Sequence, residues 1–150
     1  MGHSYSHILL HVVFSTKGRR GQLCEPLRER LFGYMVGVAR KEFGSILCMG
    51  GTDNHLHALI SVRADVSVSE AMRKWKGSSS RWVHKSISGD KSFAWQRGYA
   101  AFSVSESNAE QVAEYIRTQQ EHHRELSFED EFIALLKRHK VDYDPEYVFG

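Results

Sequence analysis

A strand-like run from Ser45 to Met49 meets a second, His55 to Val62, across Gly50-Gly51-Thr52-Asp53-Asn54. Glycine and Asx residues at that density supply the backbone angles of a tight reversal, so the two runs are predicted to pair as an antiparallel hairpin. The other elements must be arranged around that pairing. Upstream, Tyr5 to Thr16 alternates, with Ile8, Leu10, Val12 and Phe14 on one parity and Tyr5, His7, Leu9, His11 and Val13 on the other. This predicts a strand with one fully apolar face. Lys17-Gly18-Arg19-Arg20-Gly21 reads as a basic turn, and Pro26 then opens a segment in which Leu27, Leu31, Tyr34, Met35, Val38 and Ala39 recur at helical steps before Gly44. That is an amphipathic helix with a glycine stop.

Downstream of the hairpin, Ser67 to Ile87 carries Val68, Ala71, Met72, Trp75, Ser79, Trp82 and Val83 on one helical stripe, with its bases on the other side and Ser88-Gly89-Asp90 ending it. Phe93 to Val104 is predicted as a fourth strand, or a strand pair bent at Gly98. Asn108 to Leu126 is predicted as a helix with Asn108 at its N-cap, and Asp130 to His139 as another before an aromatic tail. The order strand, helix, strand, strand, helix, strand is that of an α+β, ferredoxin-like (βαββαβ) antiparallel sheet with helices on one face, here followed by a C-terminal helix bearing Tyr115. With 150 residues and no repeat or low-complexity tract, one domain is expected over 1–150. Its core covers 4–105, the tyrosine helix 108–126, and the last helix and tail 128–150.

Composition narrows the class. At 41% hydrophobic and 25% charged, with 12 glycines and 2 prolines, the chain is not collagen-like, low-complexity or wholly disordered. No apolar run approaches the roughly 18 residues of a membrane span, and the N-terminus lacks a basic and apolar leader, so a cytoplasmic location is expected. Cys24 and Cys48 suit free thiols better than a disulfide framework. The net charge of +2 hides an uneven distribution: Arg73, Lys74, Lys76, Arg81, Lys85, Lys91 and Arg97 face one acid, Asp90, whereas acids dominate from Glu106 to Glu131. Such a chain can meet a polyanion on one face, or can simply carry two differently solvated helices.

Two groupings carry chemistry. In His55-Leu56-His57, strand alternation sends both imidazoles to one face, about 6.6 Å apart along the strand, where they can converge on an ion while Leu56 enters the opposite face. The plain alternative is a pair of half-exposed strand histidines. In Tyr115-Ile116-Arg117-Thr118-Gln119, the tyrosine and glutamine lie four apart on one helical face, which His122 and His123 extend. Here the plain alternative is an ordinary amphipathic helix.

Taken together, these groupings resemble the single-tyrosine HUH transposases of small bacterial insertion sequences and their relatives associated with repetitive extragenic palindromes. His55-Leu56-His57 resembles the His-hydrophobic-His motif, and Tyr115 with Gln119 the tyrosine helix. The strand and basic turn from Tyr5 to Arg20 and the segment Asp130 to His139 with its tail are similar too. The resemblance implies that His55, His57 and Gln119 hold a divalent metal, Mg²⁺ or Mn²⁺, and that Tyr115 attacks a single-stranded DNA phosphate to give a 5′-phosphotyrosine and a free 3′-hydroxyl. It implies hairpin recognition and a homodimer with composite sites, the histidines from one chain and Tyr115 from its mate. Asn54 departs from the acidic residue frequent before the motif, which puts a carboxylate behind His55 in doubt.

For the DNA backbone, the basic residues Lys17, Arg19, Arg20, Arg73, Lys74, Lys76, Arg81 and Lys85 are the candidate contacts, with Trp75, Trp82, Trp95 and Tyr99 as candidate stacking surfaces, most of them expected in the core. Two other functions compete. One is a non-enzymatic ferredoxin-like domain binding single-stranded nucleic acid, which would need no nucleophile. The other is a metal-dependent phosphodiesterase using His55 and His57 with water, which would not need Tyr115.

Overall fold

The computed structural model describes residues 2–86 and 91–150; the helix stop expected at Ser88-Gly89-Asp90 lies outside the described residues. Four antiparallel strands, β1 (Leu9–Ser15), β2 (Gly44–Gly51), β3 (His55–Val62) and β4 (Ala100–Val104), form one sheet in the order β2-β3-β1-β4. The helices α1 (Leu27–Glu42) and α2 (Val68–Ser86) complete a βαββαβ unit. The order of the strands follows from the connections, since β2 and β3 form the hairpin and the helical crossovers place β1 beside β3 and β4 beside β1.

Leu10, Val12 and Phe14 of β1 and Leu56, Ala58 and Ile60 of β3 point to the face covered by α1 and α2, where they pack with Leu31, Met35, Met72 and Trp75. The other parity is buried as well, against α3 (Ala109–Arg117), the single turn α4 (Gln119–His122) and α5 (Phe128–Arg138). Every residue of β1 is therefore buried, where alternation predicted one apolar face. The second face closes because α3 sets Ala113 and Ile116 on Leu9 and Leu59, while α5 sets Phe128, Phe132, Leu135 and Leu136 on Val13, Ala100 and Phe102.

β1 is shorter than the expected Tyr5 to Thr16 and β2 longer than Ser45 to Met49, and three further elements differ with a visible cause. Regular pairing in the fourth strand begins only at Ala100; before it, Trp95 makes an isolated bridge to Thr16, and Lys76 Nζ donates to the Arg97 and Gly98 carbonyls where further pairing would be needed. The last helix starts at Phe128 rather than Asp130, because Ser127 Oγ accepts from the Asp130 amide as an N-cap. The helix predicted over 108–126 breaks at Thr118, whose hydroxyl donates to the Glu114 and Tyr115 carbonyls and competes with the helical ladder. Asn108 does occupy the N-cap position of α3, without a capping bond from its side chain.

Gly50 and Gly51 belong to β2 and not to the turn. Gly50 lies opposite His57, and a Cβ there would stand 2.0 Å from the Ile116 carbonyl oxygen. A glycine at this position is what lets the tyrosine helix rest its backbone on the sheet.

Candidate active site

His55 and His57 emerge from β3 on the face covered by α3, α4 and α5, both fully buried, while Leu56 enters the opposite core. The break at Thr118 keeps Tyr115 on α3 and Gln119 on α4 adjacent, and both turn to the histidines. His55 Nε2 lies 2.9 Å from Gln119 Oε1, and the His57 and Tyr115 rings are 5.8 Å apart between centroids. All four residues that the resemblance named thus meet within a single chain. This differs from the composite site implied above, in which the tyrosine came from a mate; α3 is held on its own sheet by Ile116, by Ala113 and by the contact at Gly50.

At the centre stands a residue the sequence reading did not single out. Glu131 of α5 is 1% exposed, and its Oε1 accepts from His57 Nε2 at 2.9 Å and His123 Nε2 at 2.9 Å. Its Oε2 accepts from Gln119 Nε2 at 3.0 Å and from the Tyr115 hydroxyl. His11, from β1, places Nε2 2.8 Å from His57 Nδ1. Two signals in the sequence point to these residues in hindsight. Glu131 lies on the otherwise apolar stripe Phe128, Phe132, Leu135, and His11 interrupts an apolar strand. A buried acid and a buried imidazole in such places need partners.

The site favours the neutral forms of His11, His55 and His57. Burial first, and the neighbouring His57 second, depress the pKa of both His11 and His55 to about 3. Burial also lowers His57, against the pull of Glu131. His123 behaves oppositely: burial opposes its charge, but the hydrogen bond to Glu131 and the carboxylate's charge outweigh that and raise its pKa. Burial would raise Glu131, yet the hydrogen bonds from His123 and His57 hold it well below the usual carboxylate range. The Tyr115 phenol is pushed up by burial and then by the bond to and charge of Glu131, with Gln119 and the Arg138 cation acting the other way.

These shifts set the response of the fold to acid. His11 and His55 have folded pKa values of about 3 against an ordinary 6.5, so between those limits the unfolded chain binds protons that the folded chain refuses. Stability is complete above the ordinary histidine range and falls as pH drops through this window. At about pH 5 each of these two histidines should cost about 2 kcal/mol, with His57 adding to the loss and His123 opposing it, so urea unfolding of metal-free protein should show lower stability than at about pH 7. A His11→Phe variant should lose about 2 kcal/mol less over the same interval.

The donor geometry suits a cation. His55 Nδ1 faces Asn54 Oδ1 at 2.8 Å and Thr52 Oγ1 at 2.9 Å; in the tautomer that donates from Nδ1 to these oxygens, Nε2 is a bare lone pair. Gln119 is oriented by its Nε2 bond to Glu131, so its carbonyl oxygen confronts that lone pair. In that tautomer two acceptors stand 2.9 Å apart, an arrangement that a positive ion bound by both would reconcile. Asn54 also answers the doubt raised by its place before the motif, because its amide oxygen accepts the His55 proton in the role a carboxylate would fill. His55, His57, His123 and Glu131 offer four ligand atoms within 4.8 Å of one another, and Gln119 adds an oxygen.

The sequence model of the family described as "Transposase IS200 like" matches residues 4–119. The chain belongs to the IS200-like transposase family. Two solved structures share the fold. One is a candidate transposase from Deinococcus radiodurans R1, at 19% identity and a TM-score of 0.63, covering 77% of this chain and 94% of that one. The other is a REP-associated tyrosine transposase bound to a REP hairpin, at 17% identity and a TM-score of 0.56, covering 77% and 70%. A comparison with curated protein sequences gives no match. Membership in the IS200-like family makes this chain a transposase, a DNA-cleaving enzyme, and the matched span contains Tyr115, Gln119 and both strand histidines. Glu131, His123 and the whole of α5 lie beyond it.

The basic residues are more scattered than the site itself. Lys17 and Arg20 are exposed just past the end of β1, at the same end of the sheet as His55. Arg19 stacks its guanidinium 5.0 Å from the centre of the Phe149 ring. Arg73 pairs with Glu70, Lys74 with Glu42 and Glu70, and Lys76 is engaged with backbone carbonyls, whereas Arg81 and Lys85 are exposed. These five project from α2, across the sheet from the histidines. Of the aromatic residues, Trp75 and Trp95 are core and donate to Met35 O and Ser79 Oγ, Trp82 stacks on Tyr34, and Tyr99 is half-buried. No helix among the described residues is long and apolar enough to cross a membrane.

Proposed function

We propose that the chain cleaves and rejoins single-stranded DNA through a covalent 5′-phosphotyrosine at Tyr115, with a divalent metal held by His55, His57 and Gln119, and with His123 and Glu131 completing the donor set. The observation that carries this reading is the convergence of a phenol, an amide N–H and two imidazoles on one buried carboxylate, with a third imidazole, His55, held against the oxygen of the same amide. A non-enzymatic binding domain would gain nothing from burying so many titratable groups together. A water-using phosphodiesterase would leave unexplained why Tyr115 reaches the same carboxylate as His57.

In this mechanism the Tyr115 oxygen bonds to phosphorus as the bond from phosphorus to the 3′-oxygen breaks, and that oxygen departs to become the free 3′-hydroxyl. Glu131 Oε2, already hydrogen-bonded to the phenol, orients it, and the phenol's proton passes to water as the new bond forms. Gln119 and Glu131 fix the side chain against the strand, which holds the attacking oxygen in one direction. A bound divalent cation supplies positive charge that lowers the phenol's pKa and offsets charge gathering on the phosphate. Three imidazoles with two oxygens suit Mn²⁺ better than Mg²⁺ among the two metals expected.

The substrate in this reading is a single strand next to a DNA hairpin, supported by the REP hairpin bound to the similar transposase. Lys17, Arg19 and Arg20 guide the strand past the sheet end, while Arg73, Lys74, Arg81 and Lys85 form a second basic surface for the hairpin stem, Lys76 being engaged with the Arg97 and Gly98 carbonyls. The protein acts in the cytoplasm as a homodimer joined along the outer edge of β4, and the whole of 1–150 works as one unit because α5 brings Glu131 to the site. The test is to incubate the protein with labelled single-stranded hairpin DNA and Mn²⁺. The expected result is a denaturation-resistant protein–DNA product that vanishes with chelator; its absence from the wild type overturns the proposal.

A further inference from the structure

Beside Tyr115 a cleft of about 510 Å³ opens between β4, α3 and α5. Asn108, Gln111, Val112 and Tyr115 line it from one stripe of α3, and Leu135 and Arg138 from α5. Its volume lies in the range of small-molecule sites, and its apolar walls, Val112 and Leu135, stand against a few polar groups. Those polar groups are uncommitted. Among the described residues the side chains of Asn108 and Gln111 make no hydrogen bond, and Arg138 has neither a hydrogen bond nor an ion pair. Arg138 lines the same cleft as Tyr115, against whose hydroxyl the attacked phosphate must lie.

We propose that this cleft seats the nucleotide adjoining the scissile phosphate, with Arg138 on its phosphodiester and the amides of Asn108 and Gln111 on the edge of its base. The inference rests on the cleavage reading above and adds the place where the base next to the cut is read. Val112 and Leu135 offer flat apolar contact to the base faces, and an amide is a donor and an acceptor at once, the pattern that base edges require. The exposed guanidinium at the cleft mouth is opposite in charge to a phosphodiester, and its planar fork of N–H groups can donate to two of the phosphate oxygens. The residues doing this lie on both sides of the family match, since Asn108 and Gln111 fall within residues 4–119 and Arg138 beyond them.

The experiment uses hairpin oligonucleotides whose single-stranded flank is randomised, incubated with full-length protein and Mn²⁺, followed by sequencing of the covalent products. Wild type should show a base preference of roughly 10-fold at the position adjoining the cleaved phosphate. The Asn108→Ala/Gln111→Ala variant should lose the preference at that position and keep it elsewhere. Arg138→Gln should lower adduct yield by roughly 10-fold for every base alike. An unaltered preference in the double variant, or no wild-type preference at that position, overturns the inference. Failure of wild type to form any adduct overturns the cleavage reading instead. The cleft is then decided by capturing the same oligonucleotides on Tyr115→Phe protein with and without the two alanines, where an unchanged base profile rejects it.

Discussion

Tyr115→Phe is expected to lose the covalent protein–DNA product by 10³-fold or more, on the order of what removal of a nucleophile costs other covalent enzymes, while leaving the fold and hairpin binding in place. The ring contacts that position residue 115, a stack on His122 with centroids 4.6 Å apart and edge contacts to His57 and His11, do not involve the hydroxyl. Glu131 keeps its bonds from Gln119, His57 and His123, so no buried acceptor is abandoned. Stability should change by less than about 1.5 kcal/mol, the net worth of one hydrogen bond. Hairpin binding measured by anisotropy, adduct yield on denaturing gels and urea unfolding together separate loss of the nucleophile from loss of structure. Mixing Tyr115→Phe with His57→Ala chains extends the result. Tyrosine and histidines acting within one protomer leave the mixed dimer inactive, whereas exchange of tyrosine helices restores one of its two sites.

Glu131→Ala should produce the largest stability loss of any single change at the site. The carboxylate accepts from Tyr115, Gln119, His57 and His123, and its removal leaves the buried donors of Gln119 and His57 without their acceptor. Breaking a buried ionic network by deleting one partner typically costs about 3 to 5 kcal/mol, and that is the loss expected for metal-free protein in urea. Glu131→Gln preserves volume and can still accept from some of these donors, so its loss should be smaller, about 1 to 3 kcal/mol. If the two variants unfold alike and within about 1 kcal/mol of wild type, the central place given to Glu131 is wrong. Both should also impair adduct formation, because Glu131 holds the phenol, the amide and His57 in one geometry.

The match between sequence and structure is closest where the information is local. Alternation in His55-Leu56-His57 is enough to send two imidazoles to one face, and the four-residue step from Tyr115 to Gln119 is enough to align phenol and amide. The glycine-rich reversal between Met49 and His55 likewise predicts the hairpin that puts those histidines in the sheet, though Gly50 proved to serve helix approach rather than the turn. Thr118, by contrast, gave no warning of a break, because threonine occurs within helices and its back-bonding depends on the rotamer it adopts.

From the sequence alone came the βαββαβ order, the family resemblance and four of the residues that meet at the site. Only the tertiary structure decided that α5 folds onto the second face of the sheet, that Glu131 and His123 join those four, and that Tyr115 reaches the histidines of its own chain. Periodicity tells which side of an element is buried but not what lies against it. Residues 57 and 131 are brought together by the packing of Phe128, Phe132 and Leu135 over Val13 and Phe102, a contact between distant segments that no local pattern encodes.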